Sequence, residues 1–307
     1  MQFLVCGGSA VMLLAMFMTS LCKYYQLFLA QGFLLGIGIA SILLPAFTIA
    51  AQYFTNYRGL APEIVASGSS LGEVGFESAV RIVAFIELPL LTIGCLLVRA
   101  PVTKANHTKA NPDFSSVKNY VLMLLAVGLF FVYFGLFTPF FYIEPWALSL
   151  GFESNFAFYT ISIVNAASVF VRIIPVLLAD LFGCYNIAVI AAISSGLVCT
   201  CMTKATSVAG ITIFSLAYGF TSGAIISLQG VCAAKLVPPT QFGIAMGSVM
   251  TFLSIASGLV GSPINGKILD VWGYLGMSLF SGMTMLLGGL VLLAARLQLN
   301  RHLLAKA

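Results

Sequence analysis

Runs of about 20 apolar residues recur along the whole chain, and each is long enough to cross a hydrocarbon core of about 30 Å as a helix. They cover residues 2–20, 26–52, 78–98, 119–141, 155–178, 186–203, 207–233, 242–264 and 274–296. Apolar residues make up 60% of the 307 and charged residues only 7%, whereas soluble domains carry roughly 25% charge. Such a chain cannot cover itself with polar surface, so lipid is its natural solvent. A β-barrel would alternate polar and apolar residues in strands of about 10, a pattern no stretch here sustains. Helices satisfy their own backbone hydrogen bonds in lipid. The expected fold class is therefore an all-α polytopic membrane protein with about nine transmembrane helices. The run at 2–20 lacks a basic leader and a small-residue cleavage pattern, and reads as a mature span rather than a secretion signal.

Charge then serves as topology information. A net charge of +5 is small for this length and indicates no nucleic-acid partner; the partner implied by the apolar runs is the lipid bilayer. Residues 99–118 hold Arg99, Lys104, Lys109 and Lys118 between apolar runs, which places this linker on the cytoplasmic side by the positive-inside rule. The tail with Arg296, Arg301 and Lys306 belongs on the same side, and six spans separate the two. Loop 142–154, with Glu144 and Glu153 and no basic residue, falls outside. The expected organisation is an incomplete N-terminal helical half at 1–98, the linker at 99–118, and a six-helix half with a short cytoplasmic tail at 119–307. Arg58 disturbs the parity, because only one complete span separates it from the linker.

The seven cysteines lie in or beside apolar runs without metal-ligand spacing, and read as packing residues. No nucleophile, base or metal cluster occurs at membrane depth and no nucleotide-binding loop is present. The expectation is accordingly no catalytic residue, no metal and no cofactor.

A weak internal repeat follows. Gly32-Phe-Leu-Leu-Gly-Ile-Gly and Gly59-Leu-Ala-Pro-Glu are echoed by Gly219-Phe-Thr-Ser-Gly-Ala and Gly243-Ile-Ala-Met-Gly, at separations of 187 and 184 residues. Two related helical halves leave such a trace. After Gly243 the chain continues as a complete apolar run to Gly258, whereas after Gly59 it soon meets Glu73, Glu77 and Arg81, charges that are costly in lipid. A helix is thus expected to be missing from the first half.

Leu29-Ala-Gln-Gly32, Tyr53-Phe with Arg58-Gly-Leu-Ala61, Ser67-Gly-Ser-Ser-Leu-Gly72, Ala79-Val-Arg-Ile82, Arg172 with Ala179-Asp180 and Gly183, and Gly261-Ser-Pro-Ile-Asn-Gly266 carry a family resemblance across nearly the whole chain. It resembles fungal members of the monocarboxylate-transporter branch of the major facilitator superfamily. The resemblance implies twelve spans in two six-helix bundles around a cavity that opens alternately to either side. Set against that pattern, this chain begins at the third span and lacks most of the fifth. The implied function is secondary active transport of a small organic solute, foremost efflux of an organic-anion or polyketide-like secondary metabolite at the cell membrane, with protons as a further candidate partner. Uptake of a monocarboxylate or a riboflavin-like vitamin is the alternative, and a non-transporting remnant is the reading from another class.

Arg172 is the most informative single residue. An unpaired guanidinium deep in a span costs about 2.5–3.5 kcal/mol on insertion scales. It could anchor an anion, since its rigid fork of donors matches a carboxylate, or snorkel to the cytoplasmic end and pair with Asp180 about 12 Å further along the helix. The resemblance favours the anchor, because proton-coupled relatives carry a substrate-contacting arginine here. They also carry an aspartate one turn earlier, where this chain has Ser168, which can only hydrogen-bond. Asn165, on roughly the same face, could bond a substrate or a neighbouring helix. Glu87 is the other deep charge and could relay protons beside Arg81. By the resemblance, Asp180 and Gly183 belong to the second-half copy of a cytoplasmic gating motif. The resemblance also implies that Tyr133, Phe137, Tyr218 and Phe220 lie on cavity-lining spans, where they could stack on a flat substrate or pack in the core. Gly32, Gly36, Gly219 and Gly223 are spaced for close helix contact. Asn106-His-Thr108 matches a glycosylation acceptor on a linker that faces the cytoplasm.

Overall fold

A computed structural model describes residues 2–19, 34–42, 84–85, 88–89, 91–92, 119–238 and 241–300. Several sequence expectations lie outside the described residues: the span at 78–98 in most of its length, Arg58, Glu73, Glu77, Arg81, Glu87, the linker 99–118 with Asn106, and the tail from 301. Among the described residues the structure is helical throughout. It falls into two compact units, with α1 and the helical stretches up to residue 92 in the first and residues 119–300 in the second.

In the first unit α1 spans Gln2–Thr19 and is apolar along its length. Its hydroxyls turn inward, with Ser9 Oγ donating to Val5 O and Thr19 Oγ1 to Ala15 O, both at 2.8 Å, so neither presents an unsatisfied donor to lipid. It packs on the helical stretch at 34–42 through two glycines. A Cβ on Gly8 would fall 2.6 Å from the Ser41 Cβ, and one on Gly38 would fall 2.7 Å from the Met12 backbone nitrogen. Gly36, read above as a contact glycine, has open space around it. The contact register is set by Gly38, two residues on.

The second unit begins where Asn119 caps α2 (Tyr120–Leu136) by accepting from the Val121 amide at 3.0 Å. After Phe137 the chain resumes as α3 (Thr138–Ser149), with Pro139 in its first turn. α4 (Ser154–Phe182) and α5 (Cys184–Thr200) follow. A short 3₁₀ turn at Met202–Lys204 leads to Ser207, which caps α6 (Val208–Leu236). α7 (Phe242–Ser254) runs through a π-helical segment, Ile255–Gly261, into α8 (Ser262–Leu299). The most extensive packing is α4 on α6, and α8 on α2 and α5.

Among the described residues, three helical stretches, Tyr120–Ser149, Val208–Leu236 and Phe242–Leu299, are long and apolar enough to cross a membrane. The last has 58 residues, about 87 Å of helix, far more than one crossing needs. Gly273 breaks it with φ 67° and ψ −172°, a backbone state that a side chain would strain.

Two apolar runs, 119–141 and 242–264, continue as helix beyond those bounds. The apolar run was expected to stop at 141 and at 264, but α3 continues to Ser149 across Pro145, and helix persists from Ser262 to the Gly273 kink. The π segment accommodates the Gly258/Gly261 region, and Pro263 sits near the start of α8, where its missing N–H costs nothing.

A buried polar ring ties these irregular places together. Asn265 Nδ2 donates to Thr138 Oγ1 at 2.9 Å, and Ser281 Oγ lies 2.9 Å from both Thr138 Oγ1 and Asn265 Oδ1. Each hydroxyl has one proton, so the ring closes with Ser281 donating to Asn265 and Thr138 to Ser281. All three side chains are buried. The ring thus joins the α2/α3 break to both sides of the Gly273 kink.

Candidate substrate-binding site

Tyr133 on α2 and Phe137, the residue just past its end, stand one turn apart and lean together, ring centres 6.0 Å apart in an edge-on arrangement. From Phe137 the contacts pass to Phe140 on α3 at 5.9 Å, then to Tyr218 on α6 at 5.9 Å, and end on Phe214, stacked at 5.8 Å. Phe141 adds a branch at 6.1 Å from Phe137 and is 58% exposed. Offset and edge-to-face pairs of this kind favour one another beyond simple burial. The polar tips of the row are satisfied by protein. Tyr133 Oη donates to Gln229 Oε1 at 2.7 Å, and Tyr218 Oη to the Leu136 carbonyl at 2.6 Å.

Tyr218 is fully buried, whereas Phe137 is half-buried and Tyr133 and Gln229 retain 7% and 8% exposure. The row therefore runs from a core end at Phe214 and Tyr218 to an exposed end at Phe137 and Phe141, with the buried Tyr133 and Gln229 behind it. A molecule reaching the exposed end would meet aromatic rings and one amide.

No family model matches the chain. The agnestins efflux protein AgnL12 of Paecilomyces divaricatus is 55% identical over 320 residues, which cover 100% of this chain and 74% of that protein. An MFS-type transporter of Aspergillus fumigatus is 37% identical over 335 residues, covering 98% and 77%. The chain belongs to the major facilitator superfamily. A third relative, the aspyridones efflux protein apdF of Emericella nidulans, is 37% identical over 94% of this chain and 62% of its own length. Among solved structures, the major facilitator FucP in its outward conformation shares the fold with a TM-score of 0.73 at 14% identity, over 96% of this chain and 83% of that one. As a major facilitator the chain is a multi-pass membrane transporter and not an enzyme.

Within this major facilitator, the residues singled out by sequence fall into three places. Tyr133, Phe137 and Tyr218 share the aromatic row, while Phe220, two residues past Tyr218 and so about 200° around the helix, is 50% exposed and stands apart from it. Ser168 is buried in the α4/α6 contact: its hydroxyl donates to the Asn165 carbonyl at 2.7 Å, and a Cβ on Gly223 would lie 3.1–3.2 Å from its backbone and Cβ. Asn165 is half-buried on α4. Gly219 makes the same helix pair approach closely, since a Cβ there would overlap the Val164 carbonyl oxygen. Arg172 and Asp180 belong to α4, and their side chains lie outside the described residues. Gly183 alone joins α4 to α5, with φ 94° and its N–H on the Ala179 carbonyl at 2.9 Å. Only glycine takes that turn without strain.

Sequence reasoning passed over Gln229 and the buried Thr138–Asn265–Ser281 ring. The signal was present: an amide inside an otherwise apolar run needs a partner in lipid. It passed over Arg296 too, read only as a cytoplasmic charge. Arg296 is 1% exposed, with Nε donating to Asn186 Oδ1 at 2.7 Å and Nη1 to the Asn300 carbonyl at 3.1 Å.

Proposed function

We propose that this protein is a secondary active transporter of the monocarboxylate-porter type that exports a small organic anion, of the polyketide-like secondary-metabolite class, across the plasma membrane. The observation that carries the reading is the exposed end of the aromatic row, Phe137 and Phe141, backed by Tyr133 and the Gln229 amide. Such a surface suits a flat conjugated solute and offers little to a small, strongly hydrated one. Two of the relatives carry efflux of a named metabolite in their names, which favours export over uptake.

In this reading Tyr133, Phe137 and Asn165 meet the solute and Arg172 anchors its anionic group. Tyr218 backs the row from the core. Asp180 and Gly183 form the cytoplasmic gating turn, in the second half at 119–307, which the cytoplasmic linker 99–118 joins to the first half at 1–98. With Ser168 where a coupling carboxylate would stand, that position takes no part in proton exchange.

The test is efflux of labelled aromatic carboxylates from cells expressing the chain, compared with Phe137→Ala and Arg172→Ala. Both variants, at matched surface expression, are expected to export at least several-fold more slowly. Equal efflux from wild type and both variants overturns the assignment.

A further inference from the structure

The hydrogen bond between Tyr133 and Gln229 uses one end of the amide only. Gln229 Oε1 accepts from the tyrosine hydroxyl, while Nε2 has no hydrogen-bond partner among the described residues and is not sealed inside the protein. The residue is 92% buried by its 8% exposure, within the C-terminal third of an apolar helix. Leaving an amide donor unpaired in such surroundings is costly, of order 1–3 kcal/mol. The usual local remedy, a bond back to the helix carbonyl four residues earlier, is taken by the neighbouring hydroxyls Ser222 and Ser227 but not by Gln229.

The bond to Tyr133 also holds the amide fast. With Oε1 pinned, the direction of Nε2 is fixed, and a fixed donor discriminates better than a free one. Beside it stand the rings of Tyr133 and Phe137, 6.0 Å apart. An amide is neutral, so it matches a carbonyl or hydroxyl oxygen and does not compensate a full charge.

We infer that Gln229 is the specificity-determining residue of the site, its Nε2 donating to a ring-borne carbonyl or hydroxyl oxygen of a flat conjugated solute whose rings lie against Tyr133 and Phe137. The inference rests on the site proposed above and adds the recognised group. A site that bonds an oxygen disfavours the analogue lacking it, because its buried donor is then left unpaired.

The probes are 9-fluorenone-2-carboxylate and fluorene-2-carboxylate, which have the same ring system and carboxylate and differ in one carbonyl. Their affinities are measured on the purified full chain in lipid nanodiscs. The wild type is expected to hold the fluorenone about tenfold more tightly, the worth of one net hydrogen bond. In Gln229→Met, similar in shape, the fluorenone should weaken to the level of the fluorene while the fluorene is unchanged. Gln229→Leu lacks the donor under any protonation conditions, and should show the same loss of preference if the methionine variant fails to fold. Tyr133→Phe leaves Nε2 in place and should keep a preference. A wild type that does not distinguish the two compounds, or a preference that survives in both Gln229 variants, overturns the inference. Phe137→Ala separates the two levels of the argument. If it weakens both compounds while Gln229 proves indifferent, the site stands and the assigned donor falls. If it changes neither compound, the site itself is misplaced and the inference falls with it.

Discussion

Tyr218 reaches from the middle of α6 to donate its hydroxyl to the carbonyl oxygen of Leu136, 2.6 Å away, at the residue where α2 ends. Next to it the chain passes Phe137 and enters α3 with a proline in the first turn, so the ladder of the interrupted helix is short of donors there. Tyr218→Phe keeps the ring and removes the donor. The expected loss is about 0.6–1.7 kcal/mol, the range of interhelical hydrogen bonds in membranes. A lowered midpoint in detergent-unfolding titrations, with efflux rate unchanged within about twofold, marks Tyr218 as a structural member of the row. A selective loss of transport at full stability would place it at the substrate instead.

Glycines in this fold should respond to substitution with opposite signs. A Cβ on Gly219 would overlap the Val164 carbonyl oxygen, whereas one on Gly247 meets nothing within 4 Å. Gly219→Val is therefore expected to drive α4 from α6 and abolish a monodisperse elution profile. Gly247→Ala, inside α7, should be neutral or stabilising by up to about 1 kcal/mol. Equal thermal stability of the two variants would contradict the packing described.

The pair formed by Arg296 and Asn186 predicts an order. Asn186→Leu withdraws an acceptor from a guanidinium that is 1% exposed, and the loss of a hydrogen bond to a charged group costs about 1.5–3 kcal/mol. Arg296→Met removes the charge together with its need. The double variant is expected to be more stable than Asn186→Leu alone, as read in a double-mutant cycle of unfolding free energies. Strict additivity would show that the two residues do not interact.

Breaking the buried ring should unfasten the helix breaks it joins. Asn265→Leu leaves the hydroxyls of Thr138 and Ser281 with one partner in place of two, while Ser281→Ala leaves the Asn265–Thr138 bond whole. Asn265→Leu should therefore cost more, and should raise the reactivity of a cysteine introduced at Leu275, beyond the kink, towards a membrane-permeant maleimide. Unchanged labelling in both variants would remove the ring from any role in holding the kink.

The spans were legible because length and apolarity suffice to announce them, and α2, α6 and the run from α7 into α8 lie where such runs predict. What the runs hid was facing. α2 is apolar all round, so no stripe in its sequence tells that Leu122, Leu125, Leu129, Val132, Tyr133 and Leu136 turn inward. Resemblance placed Tyr133, Phe137 and Tyr218 together, but on that ground Phe220 looked equivalent, and only the helix register sets it apart. Helix continues past the ends of the apolar runs at 141 and 264, across Pro145 and on to the Gly273 kink, because hydropathy bounds an apolar run and not a helix, and membrane helices re-satisfy locally the backbone groups a proline frees. Gln229 and Asn265 were visible as isolated amides, yet their partners are 96 and 127 residues away in the chain, a distance no local pattern encodes.

The single-residue junction at Gly183 bears on how this protein can be handled in the laboratory. Twenty-nine residues of α4 and seventeen of α5 meet there with nothing between them but that glycine. A protease site, an epitope or a fluorescent reporter placed at this junction would have to unwind a turn of one helix to be seen. The stretch 151–153 between α3 and α4 holds two exposed residues, Gly151 and Glu153, outside any helix. It is the place to cut, tag or permute this half of the molecule.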